Sequence, residues 1–263
     1  MVFVNSFDPV LFEVGPLSVR WYGLLFGLGL ILGYAIVFYA AKREKYLTQH
    51  IDSALIYLFL GLVIGARLGH VFFYNAEYFL NNPANIIKIW NGGLSSHGAA
   101  LGILVAYTIW VKVKKIPFSK YTDIFILGMP IVAGCVRLGN FFNSEIIGKP
   151  TGGDWGVIFA NLSDNTLRHP TQIYESLSSF AIFAILYFVY RKWYRKTPPM
   201  FLMMLYVLLY FVSRFIVEFW KERHILSFDF PLSMGQVLSI LPIVIALIFF
   251  IFFYPRMRNL ERQ

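Results

Sequence analysis

The sequence predicts an all-α polytopic membrane protein of about seven transmembrane helices, and three observations carry that reading. Of its 263 residues 58% are hydrophobic, 19% aromatic and only 14% charged, a balance far from that of a soluble domain. Seven apolar stretches approach the roughly 20 residues needed to cross a bilayer. Basic residues gather after alternate stretches, which is the pattern of cytoplasmic loops. One transmembrane domain over 1–263 is expected, with an N-terminal interfacial arm (1–20) and an outer loop region (143–171).

The N-terminal stretch "MVFVNSFDPVLFEVGPLSVRWYG" lacks a basic start and holds Asp8 and Glu13, so a cleaved signal peptide is not expected and the arm should lie at the interface. Helices are predicted over about 21–41, 53–75, 98–112, 121–142, 172–190, 200–220 and 235–254. The third is short, and the fourth and fifth carry polar groups. The single cysteine, Cys135, excludes an internal disulfide, and no His or Cys spacing resembles a zinc or haem site. Neither metal nor cofactor is expected.

Lys42, Arg43 and Lys45 follow the first helix, Lys112, Lys114, Lys115 and Lys120 the third, Arg191, Lys192, Arg195 and Lys196 the fifth, and Arg256, Arg258 and Arg262 the seventh. The opposite loops hold only Lys88, Lys149, Arg168, Lys221 and Arg223. The positive-inside rule therefore predicts an outer N-terminus and a cytoplasmic C-terminus. The net charge of +9 is mostly this topogenic charge and does not imply a nucleic-acid partner.

Four arginines remain at or inside the apolar segments: Arg20, Arg67, Arg137 and Arg214. An arginine at a helix centre costs about 2.5–3.5 kcal/mol on insertion scales, so such residues face a cavity or a partner. All four map toward the outer side, as do "GGLSSHG" with His97, "HPTQIYE" with Gln172, Tyr174 and Glu175, and the pair Gly235 and Gln236. Scattered structural polar groups should fall on both sides. The one-sidedness predicts a polar cavity open to the outer leaflet.

Tyr210, Arg214 and Glu218 recur every four residues on one helix face, and Arg137 and Asn140 are neighbours three apart. Arg214 and Glu218 could neutralise each other. Arg137 has no acid close in sequence, since Glu145 is eight residues on. "RLGHVFFYNAE" from Arg67 and "RLGNFFNSE" from Arg137 resemble each other, by convergence or as a duplicated phosphate-facing element. A cavity with two or three unpaired guanidiniums suits a phosphate, which the planar fork meets bidentately, and at that depth the available phosphate is a phospholipid head group.

These residues resemble the prolipoprotein diacylglyceryl transferases. "RLGNFFNSEIIG" is similar to that family's signature, with Arg137, Gly139, Asn140, Phe141, Asn143, Glu145 and Gly148 in register. "RWYG" at 20–23, "GARLGHVFFY" at 65–74, "GGLSSHG" at 92–98, "HPTQIYE" at 169–175, "RFIVEF" at 214–219 and "MGQVLS" at 234–239 match in order. Val136 and Ala99 depart from the pattern, each standing where the family usually has glycine.

The resemblance implies an enzyme of the bacterial inner membrane that moves diacylglycerol from phosphatidylglycerol to the lipobox cysteine thiol of a prolipoprotein, releasing glycerol 1-phosphate. Its partners are then phosphatidylglycerol, prolipoprotein signal peptides and membrane lipid. Arg137 and Arg214 are expected to stabilise charge on the leaving phosphate. His97, where a helix N-terminus would keep imidazole neutral, is the implied base or else a hydrogen-bonded loop histidine. Tyr22, Tyr210, Asn140 and Gly148 are expected at the substrate. Arg67, Asn143, Glu145, Glu218, Gln172 and Glu175 are expected to support them.

Two other readings fit fewer residues. A transporter for anionic solutes would favour inverted repeats and midplane binding, whereas the one repeat seen here has parallel topology. A non-catalytic export scaffold gives no reason for clustered arginines in lipid.

The orientation has a direct test. A single cysteine in the 151–165 loop, with Cys135 replaced, should react with an impermeant thiol reagent in intact cells or spheroplasts, and one near Lys114 should not. The reverse labelling would invert the topology.

Overall fold

The computed structural model describes residues 2–15, 17–89, 92–162, 164–222 and 231–256. Arg223, Arg258 and Arg262 of the charge pattern lie outside the described residues. Each of the seven expected spans is helical. They are α1 (Trp21–Arg43), α2 (Thr48–Tyr74), α4 (Ser96–Lys114), a broken pair α5 (Ser119–Phe125) and α6 (Met129–Phe142), α7 (Thr171–Trp193), α8 (Phe201–Val217) and α9 (Met234–Ile248). A short helix between the second and third spans, α3 (Ala76–Asn81), was not expected.

Among the described residues four helices are long and apolar enough to cross a membrane, or five with α5 and α6 as one span. The protein is membrane-embedded and all-α in its spanning part. At 17 residues α8 is a short apolar helix, about 25 Å long. The bend of 41° between α5 and α6 has a covalent cause. Pro130, in the first turn of α6, has no N–H to continue the ladder from α5.

The arm is not helical. β1 (Val2–Asn5) pairs in parallel with β4 (Gly156–Phe159), and β2 (Val10–Val14) pairs antiparallel with β3 (Leu17–Arg20) around Gly15, whose φ is +58°. Asn5 is fully buried and donates its amide to the Phe141 carbonyl at 2.7 Å, tying β1 to the end of α6. Phe141, Val157 and Phe159 form the small core beneath.

The chain divides into two compact units, Met1–Val37 with Tyr121–Gln263, and Phe38–Lys120. In the first, α6 lies between α1 and α7. Gly29 and Gly33 of α1 meet Val132, Cys135 and Gly128, and Ser176 of α7 donates to the Gly134 carbonyl at 3.0 Å. α8 lacks a cap of its own, since Met200 before it has φ +68° and offers no side-chain acceptor. Asp123 of α5 supplies one, accepting from Met203 N at 2.9 Å.

In the second unit α2 and α4 cross with their backbones in contact. Gly61, Gly65 and Gly69 form one stripe on α2 and face Gly98 and Gly102 of α4. A Cβ at Gly102 would stand 2.8 Å from the Gly65 Cα and closer still to the Gly61 carbonyl. Without a strong hydrophobic drive between helices in lipid, close packing of small residues is what holds such a pair. Gly102→Leu should therefore lower stability by about 1–3 kcal/mol or more, read as an earlier thermal transition of the purified protein. An unchanged transition would show that α2 and α4 can separate at no cost.

Candidate active site

One end of the first unit collects five helix termini: the starts of α1, α7 and α9 and the ends of α6 and α8. The polar cluster there is built around Glu175, on the first turns of α7, with only 9% of its side chain exposed. Oε1 lies 2.6 Å from Lys221 Nζ, and Oε2 lies 3.0 Å from Arg137 Nε. The first contact is a hydrogen-bonded ion pair. The second is Coulombic, because no donor is aimed at Oε2.

Arg137 sits on the last turns of α6. Its Nη1 donates to Asn140 Oδ1 at 3.2 Å, and Asn140 Nδ2 donates onward to Glu145 Oε2 at 2.9 Å. Asn143 Nδ2 reaches the other oxygen of Glu145 at 3.3 Å. The turn carrying Glu145 is strained, with Ser144 and Ile146 at φ +56° and +55°. Such left-handed residues persist only when their surroundings hold them. Here α7 does so: Gln172 Nε2 donates to the Glu145 carbonyl at 2.6 Å, and Thr171 Oγ1 donates to that of Ile146 at 3.0 Å.

Lys221 follows α8 and is buried. Residues 147–149 hold it in place, through Lys149 N to the Trp220 carbonyl at 2.8 Å, Glu222 N to the Ile147 carbonyl at 3.3 Å and a bridge between Gly148 and Lys221. Burial pulls its pKa down, and Arg137 adds to that, while Glu175 and Glu218 push it up. Glu218 Oε2 is 3.8 Å from Lys221 Nζ, and its Oε1 accepts from Ser233 Oγ at 2.9 Å. Ser233 and Gln236 form a reciprocal cap on α9, so the Glu218 carboxylate lies against a helix N-terminus, where negative charge is favoured. A side chain at Gly235 would collide with that carboxylate.

Tyr22 opens α1 and packs against Gly139, where a Cβ would stand 3.0 Å from its Cα and ring. Tyr210 stacks on Tyr206 at 5.5 Å, one turn from Arg214. Among the described residues the Arg214 side chain has no ion pair or hydrogen bond, and Arg137 Nη2 has no protein partner. Buried Asn143 Oδ1, Gln172 Oε1, Glu175 Oε2 and Gln236 Nε2 likewise lack hydrogen bonds within the protein. Two guanidiniums with donors to spare and several unmatched polar atoms therefore share one end of a bundle, an arrangement suited to the oxygens of an anion.

A model of the prolipoprotein diacylglyceryl transferases matches residues 9–252. The chain belongs to that family. A phosphatidylglycerol–prolipoprotein diacylglyceryl transferase of Tolumonas auensis is 43% identical over 250 residues, covering 94% of this chain and 95% of that protein. The protein of the same name from Chloroherpeton thalassium is 41% identical over 257 residues, 97% of this chain and 95% of its own. That of Bacteroides fragilis is 35% identical over 267 residues, 97% and 96%.

Several expectations need correction. Arg137 does have an acid, Glu175, brought by helix packing from 38 positions on. Glu218 does not neutralise Arg214, because its carboxylate is taken by Lys221 and Ser233. The second unit holds Arg67 and His97. Arg67 is not a phosphate fork: Nε donates to the Ile86 carbonyl at 2.7 Å, Nη1 to Gly92 at 2.6 Å and Gly93 at 3.1 Å, and Nη2 to Asn85 at 2.7 Å and Lys88 at 3.3 Å. Its plane also lies over Phe79 at 4.9 Å. The two similar "RLG" segments thus do different work, one organising a loop and one building the cluster. His97 is exposed on the first turn of α4, whose cap is Ser95. Lys221, read from sequence as a loop charge, is a buried member of the cluster, and its spacing of three from Glu218 was the available signal.

Removing one partner of a buried pair leaves the other uncompensated, at a cost of about 3–5 kcal/mol. Lys221→Met should show that loss in thermal unfolding, and adding Glu175→Gln should recover part of it. A double variant no more stable than Lys221→Met would mean the pair is not what holds the cluster.

Proposed function

We propose that this cluster is the active site for transfer of the diacylglyceryl group of phosphatidylglycerol to the lipobox cysteine thiol of a prolipoprotein, the first step of lipoprotein maturation. The observation that carries the reading is the Arg137 guanidinium, fixed on two sides by Glu175 and Asn140 with its Nη2 edge left for a ligand. The thiol sulfur attacks the glyceryl carbon bonded to the phosphate oxygen. A C–S bond forms, the C–O bond breaks, and glycerol 1-phosphate leaves with the bonding electrons.

Negative charge grows on the departing phosphate, so cations already in place stabilise the transition state more than the bound lipid. Arg137 and Arg214 take that role. Tyr22, Asn140, Tyr210 and Gly148 shape the head-group pocket, Glu175 holds Arg137, Asn143, Glu145 and Gln172 hold the turn beside it, and Glu218 holds Lys221 and the start of α9. The thiol proton passes to a general base, the role that the family resemblance gives to His97. The site faces the outer leaflet of the bacterial inner membrane. Transfer is direct, from lipid to substrate thiol. Cys135 supports this, since its side chain packs onto Gly29 of α1 at the helix interface.

Arg137→Ala should lower kcat about 100- to 1,000-fold, the loss seen when one donor to a developing anion is removed. Arg137→Lys should fall nearly as far, since lysine keeps the charge and loses the fork. Arg214→Ala should lose turnover with stability within about 0.5 kcal/mol of the parent, as expected of a side chain with no structural partner. Near-normal turnover by purified Arg137→Ala, measured with phosphatidylglycerol and a lipobox peptide, would overturn the assignment.

A further inference from the structure

The arm carries an unfinished sheet. Val157 of β4 uses both its N–H and its C=O on Arg168, at 2.9 and 3.0 Å. In a parallel ladder a residue that bonds across sends both groups to the two neighbours of its partner. β4 therefore faces β1 through Gly156 and Ile158, and β1 answers with Phe3 and Asn5. The N–H and C=O of Val2 and Val4 consequently point away from β4, and among the described residues they have no partner. Both side chains are about half exposed, at 53% and 52%.

Natural edge strands are usually guarded by charge, proline or a covering element. The segment Val2–Asn5 has no charge and no proline. The strand is anchored at Asn5, which is fully buried and holds the Phe141 carbonyl, while Phe3, itself 47% exposed, stands 6.2 Å from the Phe141 ring. Phe141 lies four residues beyond Arg137, on the same face of α6, one turn or about 5.4 Å along. β1 is thereby anchored to the same end of α6 that carries Arg137.

We propose that β1 is a docking edge for the peptide substrate, which binds as an added strand along Val2 and Val4. This rests on the transfer reading above and extends it by naming how the second substrate is held. Donors and acceptors alternating every two residues match an extended polypeptide backbone. An acyl chain offers neither group. Backbone pairing is blind to side chains, so the edge accepts differing sequences around one required cysteine, and the apolar faces of Val2 and Val4 favour apolar residues at alternate positions.

The test uses full-length protein with phosphatidylglycerol micelles and a synthetic lipobox peptide. Val4→Pro deletes an outward N–H and leaves the β1–β4 ladder, whose bonds run through Phe3 and Asn5. It should raise KM for the peptide at least tenfold while KM for phosphatidylglycerol stays put. N-methylation scanned along the peptide should weaken binding at every second residue only. A photoreactive side chain at position 2 should cross-link the peptide. An unchanged peptide KM, equal shifts in both KM values, a scan without alternation, or adducts only with lipid or a second copy of the chain would overturn the proposal. If the parent protein transfers nothing, the transfer reading fails, and cross-linking still decides the edge.

Discussion

Everything at the polar end of the first unit depends on one carboxylate shared between two cations. Glu175 gives one oxygen to Lys221 and the other to Arg137. Arg137 is thereby held by its Nε side, and its outer edge is directed elsewhere. Three helices meet in that contact, since α6 brings the arginine, α7 the acid, and the end of α8 the lysine. Taking such charges out of water is costly unless they are paired and hydrogen-bonded, so the cluster forms as a set or not at all.

Helix termini explain why the set lies where it does. Each terminus leaves backbone groups that need partners, and the starts of helices favour negative charge. Glu218 lies against the start of α9 beside the Ser233 cap, and the starting residues of α7 hold the strained turn at Glu145. The side chains at these helix ends also belong to the cluster around Arg137, Glu218 through Lys221 and Gln172 through the Glu145 turn. Fold and chemistry share residues, which is why the corresponding stretches of sequence are so rich in polar groups.

Much of this was legible in the residue string. The seven apolar runs gave seven helical regions, because length and hydropathy are local properties. Arg137, Asn140 and Glu145 drew notice through the cost of polar groups in lipid. Their partners did not. Which acid meets Arg137 is decided by the packing of α6 on α7, through contacts such as Ser176 to Gly134, and no spacing rule reaches across 38 residues. Lys221 looked like a loop charge because its burial comes from residues 147–149. Arg67 and Arg137 open nearly the same string, yet one is spent on loop carbonyls, because only the tertiary surroundings decide what a guanidinium finds. The β1–β4 pair was hidden for the same reason, its strands lying more than 150 positions apart.

The cap that α5 lends to α8 bears on how the chain is made. A helix with no cap of its own leaves its first N–H groups bare, which is tolerable in water and expensive in a bilayer. Asp123 precedes Met203 by 80 positions, and chains emerge from the ribosome N-terminal end first. By the time α8 leaves the exit tunnel its acceptor has already been synthesised and can wait in the membrane. Vectorial synthesis thus turns an apparent defect of α8 into an address, fixing which earlier helix it must find.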